Sequence, residues 1–162
     1  MAGVNNIVRE IAPKSIFDDA SAVTSATEDY DQGDLLVLDT GVIKKAAAEA
    51  DGATFLGVAK VSVVDGKLLS PYSGTAVDAA AAKGVLPGPV YGVVAKLILK
   101  TGEALAVGGL VYLDPATGGR GVAASGTKAI GVYQGPAIAS AVAGQQIEVL
   151  VGARFPQDAL KF

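Results

Sequence analysis

The chain of 162 residues contains no cysteine, no histidine and no tryptophan. Without cysteine there is no disulfide framework, thiolate metal site or cysteine nucleophile. Without histidine the commonest general base and the commonest metal ligand are missing. The composition therefore excludes Ser-His-Asp and Cys-His catalysis and histidine-based zinc sites.

Aromatic side chains are also scarce, with four Phe and five Tyr making up 6% of the chain. Carbohydrate sites usually use aromatic platforms, whereas these tyrosines are scattered singly along predicted strands, where core-edge packing is typical. Spacing alone leaves open a pair of converging carboxylates of the glycosidase kind. We nevertheless expect no enzyme, and we predict no catalytic, cofactor-binding or metal-ligating residues.

Charge is low and weakly acidic: 18% of residues are charged and the net charge is −3. No Lys/Arg cluster is present, so we expect no nucleic-acid binding, which needs clustered cations. The longest uncharged stretch, residues 129–147, contains Pro136 and three glycines and does not read as a membrane span. Arg9 and Glu10 interrupt any signal-peptide pattern. We expect a soluble protein made in the cytoplasm, with no membrane partner.

Hydrophobic residues make up 51% of the chain and glycine occurs 21 times, which favours one globular domain rich in tight turns. From residue 33 onward β-branched and alternating apolar residues predict strands. Asp65-Gly66 predicts a two-residue hairpin, and residues 89–100 predict the central strand. The fold class is mainly β, a small β-barrel or β-sandwich.

A repeated phrase links two distant parts of the chain. "GDLLVLDTG" (33–41) resembles "GGLVYLDPATGG" (108–119), and "ADGATFLGV" (50–58) resembles "ASGTKAIGV" (124–132). Each copy reads as a strand, a turn, an Ala-rich stretch and a strand with a Gly-Val step. Two copies, with units around 33–58 and 108–132, predict an internal duplication within a barrel or sandwich rather than an open solenoid, which needs more repeats.

The N-terminal residues follow a different pattern. Over residues 3–12 the apolar positions recur at helical spacing, which predicts a short amphipathic helix ending before Pro13. This segment either packs on its own domain or forms an arm that docks on a neighbour, as helix or as added strand. We divide the chain into an arm and acidic tether (1–31), a β-domain (32–152) and a tail (153–162). Short helical turns are predicted at 77–84 and 44–52, the latter alternatively a loop.

Two segments invite a ligand interpretation. Glu28, Asp29, Asp31 and Asp34 are close enough in sequence to suggest Ca²⁺, but they miss the EF-hand spacing, so a solvated linker is the preferred interpretation. "GGRGVAASG" (118–126) is glycine-rich and follows a strand, but it leads into another strand instead of a phosphate-binding helix. Neither segment predicts a ligand site.

Four short patterns give the chain a family resemblance over about residues 30–152. They are a "G-D-x-V-x-x-D" opening, an "x-G-V-A" strand, an "A-G-x-x-V-Y-x-D" strand and an "A-G-x-x-x-V-x-V" closing strand. The chain resembles the small capsid decoration (cement) proteins of tailed bacteriophages, while its arm and its "RFPQDALKF" tail depart from that pattern. In this chain the patterns fall on Gly33, Asp34, Val37, Asp39, Gly57, Val58, Ala59, Val107, Gly108, Val111, Tyr112, Asp114, Ala143, Gly144, Ile147, Val149 and Val151.

The resemblance implies a β-rich virion protein, often a homotrimer, on the outer surface of the capsid, where it bridges major capsid protein subunits. The apolar residues of the arm and tail are the expected capsid contacts. These are Val4, Ile7, Val8, Ile11, Ile16, Phe17, Phe155, Leu160 and Phe162. The alternative is a receptor- or carbohydrate-binding β-domain of a virion or cell surface. A shell-forming subunit is ranked lower, since it would usually need a longer chain with clear helices.

Overall fold

The computed structural model describes residues 7–15, 23–24, 28–39, 41–46, 54–65, 67–69, 76–77, 90–114, 119–127 and 129–152. These residues form strands joined by turns, and no helix occurs among them. The strands are β1 (Ile7–Ser15), β2 (Val23–Thr24), β3 (Leu35–Asp39), β4 (Val42–Lys45), β5 (Thr54–Val58), β6 (Val63–Val64), β7 (Lys67–Leu69), β8 (Ala76–Val77), β9 (Val90–Leu99), β10 (Leu110–Leu113), β11 (Gly121–Ala123), β12 (Ala129–Tyr133) and β13 (Gln146–Val151).

Five strands close into a small barrel in the order β9, β13, β12, β10, β11 and back to β9. Four of the five pairings are antiparallel, and the parallel pairing of Gly121 and Val122 with Ile98 and Leu99 closes the ring. Closure leaves no unpaired edge between neighbouring strands of the ring. The predicted mainly β fold with a small barrel is confirmed. Strands β6, β7 and β8 form a separate three-stranded sheet.

Strand β9 is central, as the sequence predicts. Val93, Val94 and Ala95 are consecutive and fully buried, so both faces of the strand are covered. A strand covered on both faces reads as a continuous apolar run instead of an alternating one. Val93 pairs with Glu10 on β1 and with Val151 on β13, so these two strands lie on opposite edges of β9.

The repeated phrase corresponds to a repeated pairing scheme. In both copies the first strand pairs antiparallel with the third, and a break in register follows the pair that contains the glycine of the Gly-Val step. The matched pairs are Leu35↔Val58 and Leu36↔Gly57 in the first copy, and Leu110↔Val132 and Val111↔Gly131 in the second. The predicted duplication is therefore present in the strand register.

Each of the two duplicated units contains four strands. The first unit has the order β4-β3-β5-β9 and the second has the order β11-β10-β12-β13. Antiparallel pairing of β9 with β13 joins the two units through six consecutive residue pairs. The barrel is thus the second unit closed on itself through the last strand of the first.

Two hydrophobic clusters lie on the two faces of the first unit. Alternate residues of β3 divide between them: Leu35 and Val37 pack into the barrel cluster, while Leu36 packs into a smaller cluster with Tyr30 and Val63. This division follows from the two-residue period of a strand. The first unit therefore needs cover on both faces, which the barrel provides on one side and Tyr30, Ala59, Val61 and Val63 provide on the other.

The helix predicted over residues 3–12 is wrong for residues 7–12, which belong to strand β1, antiparallel to β9. A helix of ten residues gains little stability by itself, and the edge of β9 offers hydrogen-bond partners that local periodicity does not reveal. Residues 3–6 lie outside the described residues. So do residues 78–84 and 47–52 of the two predicted helical turns, whereas Lys44 and Lys45 lie in β4.

The predicted hairpin at Asp65-Gly66 is confirmed. Val64 of β6 pairs with Lys67 of β7, and Asp65 has a φ of 49°. Positive φ at this position is typical of the two-residue turns whose twist matches that of the flanking strands.

Gly131→Ala tests the close packing at the Gly-Val step. A Cβ at residue 131 would lie 2.5 Å from the Leu150 carbonyl oxygen and 2.7 Å from Val149 Cγ1. Because ladder pairing fixes that backbone, we expect the free energy of unfolding to fall by about 3 kcal/mol. The control Gly102→Ala has open space around its Cβ and a φ of +84°, and should cost about 1 kcal/mol of left-handed strain. Urea denaturation measures both variants, and equal losses would contradict the packing account.

Candidate binding surface at one end of the barrel

Two loops leave the same end of the barrel. Strand β9 ends at Leu99 and β13 begins at Gln146, and Gln146 pairs with Ile98. The loop after β9 (100–109) and the loop before β13 (134–145) are therefore neighbours. We call residues 104–109 and 136–144 of these loops the apolar rim.

Backbone hydrogen bonds join the two loops into a short ribbon. Leu105 and Ile138 each donate an N–H to the other's carbonyl oxygen at 2.8 Å. Gly102 N donates to Ala141 O, and Ala141 N donates to Glu103 O, both at 2.8 Å. The rim therefore has fixed backbone geometry although it lies outside the barrel strands.

Side chains also fasten the ribbon to the barrel. Leu105 and Ala141 are buried in the barrel cluster, and Ile138 packs against it. The Tyr133 hydroxyl donates to the Pro136 carbonyl at 2.7 Å, and Gln145 Oε1 accepts from Val142 N at 2.9 Å. A surface held in this way loses little conformational entropy when a partner binds.

The rim exposes apolar groups without any charge. Val107 is 70% exposed and Val142 is 66% exposed, and the described residues contain one other large exposed hydrophobic side chain, Val64 at 37%. Residues 104–109 and 136–144 contain no Asp, Glu, Lys or Arg. Further exposed apolar residues of the rim are Ala104, Ala106, Pro136, Ala137, Ala139 and Ala143.

The carboxylate that adjoins the rim in sequence is bonded to a different loop. Glu103 precedes the rim, and its Oε2 accepts a hydrogen bond from Ala124 N in the loop between β11 and β12. Exposed apolar surface of this kind is typical of a contact with another macromolecule. The rim carries no ionisable side chain, and Ser140 is its one polar side chain, so it offers mainly apolar surface with hydrogen bonding by its backbone and the Ser140 hydroxyl.

Asp34 belongs to the acidic cluster for which the sequence suggests Ca²⁺. In the structure its carboxylate connects two parts of the fold. The side chain is buried, its Oδ2 accepts from Asp31 N at 2.9 Å, and its Oδ1 lies 3.8 Å from Arg120 Nε. Next to it, Leu35 N donates to Gly119 O at 2.7 Å. Burial raises the pKa of Asp34 despite the bond from Asp31 and the nearby positive charge of Lys45. The carboxylate thus ties the first unit to the turn between β10 and β11.

The neighbouring acidic residues hold backbone in the same way. Glu28 Oε1 accepts from Lys45 N at 2.7 Å, and Asp29 Oδ1 accepts from Asp65 N at 2.7 Å. Residues 28–31 are therefore hydrogen-bonded to the β-domain instead of forming the solvated linker that their composition predicts. Within the described part of the chain, no group of three or more acidic residues is arranged to hold a metal ion.

The predicted capsid contacts fall mostly outside the described residues. Ile7 is buried in the barrel cluster, so its assignment as a surface contact is wrong while β1 lies on β9. Val8 and Ile11 lie in β1, and nothing is described of their side chains. The others, Val4, Ile16, Phe17, Phe155, Leu160 and Phe162, lie outside the described residues.

The apolar rim is not among the features predicted from the sequence. The available signal was the uncharged stretch 129–147, which includes residues 136–144 of the rim. The described residues include no helix of the length and hydrophobicity that a membrane crossing needs. No protein-family model, curated protein or solved structure matches the chain.

The Asp34→Asn variant tests the burial of this carboxyl group through the pH dependence of stability. The folded state raises the pKa of Asp34 above its ordinary value of 3.8, so the folded chain binds this proton more tightly than the unfolded chain does. The contribution of Asp34 to stability therefore falls as pH rises from 3.8 through the folded-state pKa. Because asparagine does not titrate, we expect the stability of the variant relative to wild type to increase across that window and then level off.

Thermal or urea unfolding measures this difference in stability. The measurements run from about pH 3.5 to about pH 7, which covers the range in which carboxyl groups titrate. Glu148→Gln, which removes a carboxylate exposed on β13, controls for the loss of one negative charge. A stability difference for Asp34→Asn that stays constant or declines with rising pH would contradict the burial of this group.

Proposed function

We propose that this chain is a structural decoration protein of a tailed-phage head. It binds the outer surface of the assembled capsid and stabilises contacts between major capsid protein subunits. The observation that supports the proposal best is the apolar rim, an uncharged and rigid surface with two highly exposed valines. The resemblance of residues 30–152 to capsid decoration proteins points to the same function.

A decoration protein works by mass action. If it binds the assembled lattice and not the separate subunits, the free energy of binding is added to the stability of the shell. A rigid rim suits this task because little of the binding energy is lost in ordering the surface. In a homotrimer, three rims act at high effective concentration, so weak contacts add up to tight binding.

The arm and tail extend this proposal. Apart from Ile7, the apolar residues expected to touch the capsid remain candidates for additional contacts. These are Val4, Val8, Ile11, Ile16, Phe17, Phe155, Leu160 and Phe162. The rim contains no aromatic residue, so it does not favour the alternative of a carbohydrate-binding domain, which usually stacks sugars on aromatic rings.

The test is cosedimentation with empty heads assembled from the cognate major capsid protein, before and after expansion. We expect wild-type chain to pellet with expanded heads. Val107→Ser and Val142→Ser should each weaken binding about tenfold, since burying a valine contributes about 1.5 kcal/mol. Val64→Ser is the matched control, because it is the same substitution at an exposed valine on β6, outside the rim. Binding through the rim should also change little with salt concentration.

The outcomes of this experiment test the decoration function and the role of the apolar rim separately. If wild-type chain fails to pellet with expanded heads, the decoration function is wrong. If wild-type chain pellets and all three serine variants bind equally well, the function stands and the rim is not the contact.

A further inference from the structure

One edge of β9 is shared end to end by two strands. β11 pairs with its last two residues, Ile98 and Leu99, while β1 pairs with residues 90–95. The opposite edge is taken by β13 and, at Val90, by β5. β1 therefore fills the part of the edge that the closing strand β11 does not reach.

The barrel closes without β1. Its ring runs through β9, β13, β12, β10 and β11, and β1 pairs only with β9 among the described strands. Loss of β1 would break no pairing within the ring. It would expose the edge of β9 over residues 90–95 and uncover the position in the barrel cluster that the Ile7 side chain fills. We call this edge, together with the position that Ile7 fills, the strand-acceptor site.

β1 is also paired less regularly than β13. β13 pairs with β9 through six consecutive residues, whereas the register of β1 is broken after Ile7 and again between Glu10 and Lys14. In the second break, the four-residue step from Glu10 to Lys14 on β1 lies opposite the two-residue step from Val93 to Tyr91 on β9. Pro13 lies in this break, and proline has no N–H for a ladder, which fits an edge strand. A strand held in this way is suited to exchange.

The connection from β1 to β2 has limited slack within one chain. The sheet path from β1 to β2 runs through β9, β5, β3 and β4, which is about 24 Å across the sheet at about 4.8 Å per step. The paired residues also place Val23 about 13 Å further along the strand direction than Ser15. In a flat sheet the two ends are then about 27 Å apart, and residues 16–22 reach about 28 Å when fully extended. Curvature of the sheet shortens this path.

We propose that β1 is a donor strand, and that the acceptor site on β9 receives β1 from a second copy of the same chain. The exchanged strand makes the same backbone pairs and places Ile7 in the same position, so no contact is lost. In a flat sheet the connection within one chain would be almost fully extended, whereas a connection to a neighbouring barrel need not cross the chain's own sheet. The copies are thereby linked strand to barrel. This inference concerns association between copies and does not depend on capsid binding.

The absence of native cysteine makes a disulfide test specific. Ser15→Cys and Val90→Cys are placed on separate chains with different tags, and the two chains are expressed together. Ser15 and Val90 are Cα partners in the register of β1 and β9. If β1 is exchanged, oxidation should join roughly half of the chains into covalent pairs, as random mixing in closed assemblies gives. These pairs migrate at twice the chain mass on a non-reducing gel.

The matched control uses a pair that lies within the barrel. Lys96 and Glu148 are partners in the register of β9 and β13, so Lys96→Cys and Glu148→Cys on separate co-expressed chains should give no covalent pair. Each single-cysteine variant expressed alone measures random oxidation. If one of the test variants does not fold, Lys14→Cys with Tyr91→Cys examines the next register pair.

The double variant Ser15→Cys/Val90→Cys decides the remaining question. Exchange predicts that this variant, expressed alone, forms covalent multimers at any protein concentration at which the assembly persists. If the oxidised double variant stays at monomer mass, and the mixed single variants give no more covalent pairs than the Lys96/Glu148 control, β1 inserts into its own chain and the proposal is overturned.

Discussion

Backbone pairing along both edges of β9 joins the parts of this chain. One edge receives β13 and β5, which connects the second unit to the first, and the other receives β11 and β1, which closes the barrel and binds the N-terminal strand. Such a strand must be apolar on both faces, because it is covered on each side. The continuous apolar run of β9 is thus the local sequence feature on which the wider architecture depends.

The duplication explains how a chain with few aromatics and many small residues forms a stiff scaffold. Each unit repeats the same register break beside a glycine, and at Gly131 a side chain would collide with the backbone of β13. The Asp34–Arg120 ion pair and the hydrogen bond from Leu35 N to Gly119 O then fasten the first unit to the turn of the second. Rigidity arises from backbone proximity and pairing instead of from large side chains.

A stiff scaffold makes its exposed surface suitable for binding without rearrangement. The apolar rim is placed by strand ends, fixed by a two-stranded ribbon and fastened by Leu105 and Ala141. The rim and strand β1 differ in this respect. The rim is a preformed surface, whereas β1 is an edge strand on β9 for which we propose exchange between copies. The proposed shell binding and the proposed strand exchange therefore rely on different physical features of one molecule.

The sequence by itself determined the features that rest on local pattern. Alternation and β-branched residues predicted the strands from residue 33 onward, Asp65-Gly66 predicted its hairpin, and the matching phrases predicted a duplicated β-unit. Only the tertiary structure decided that residues 7–15 form a strand, that β11 closes the barrel in parallel with β9, and that residues 104–109 meet 136–144. Each of these depends on which edge or loop end becomes available when distant segments pair, and local periodicity does not encode that.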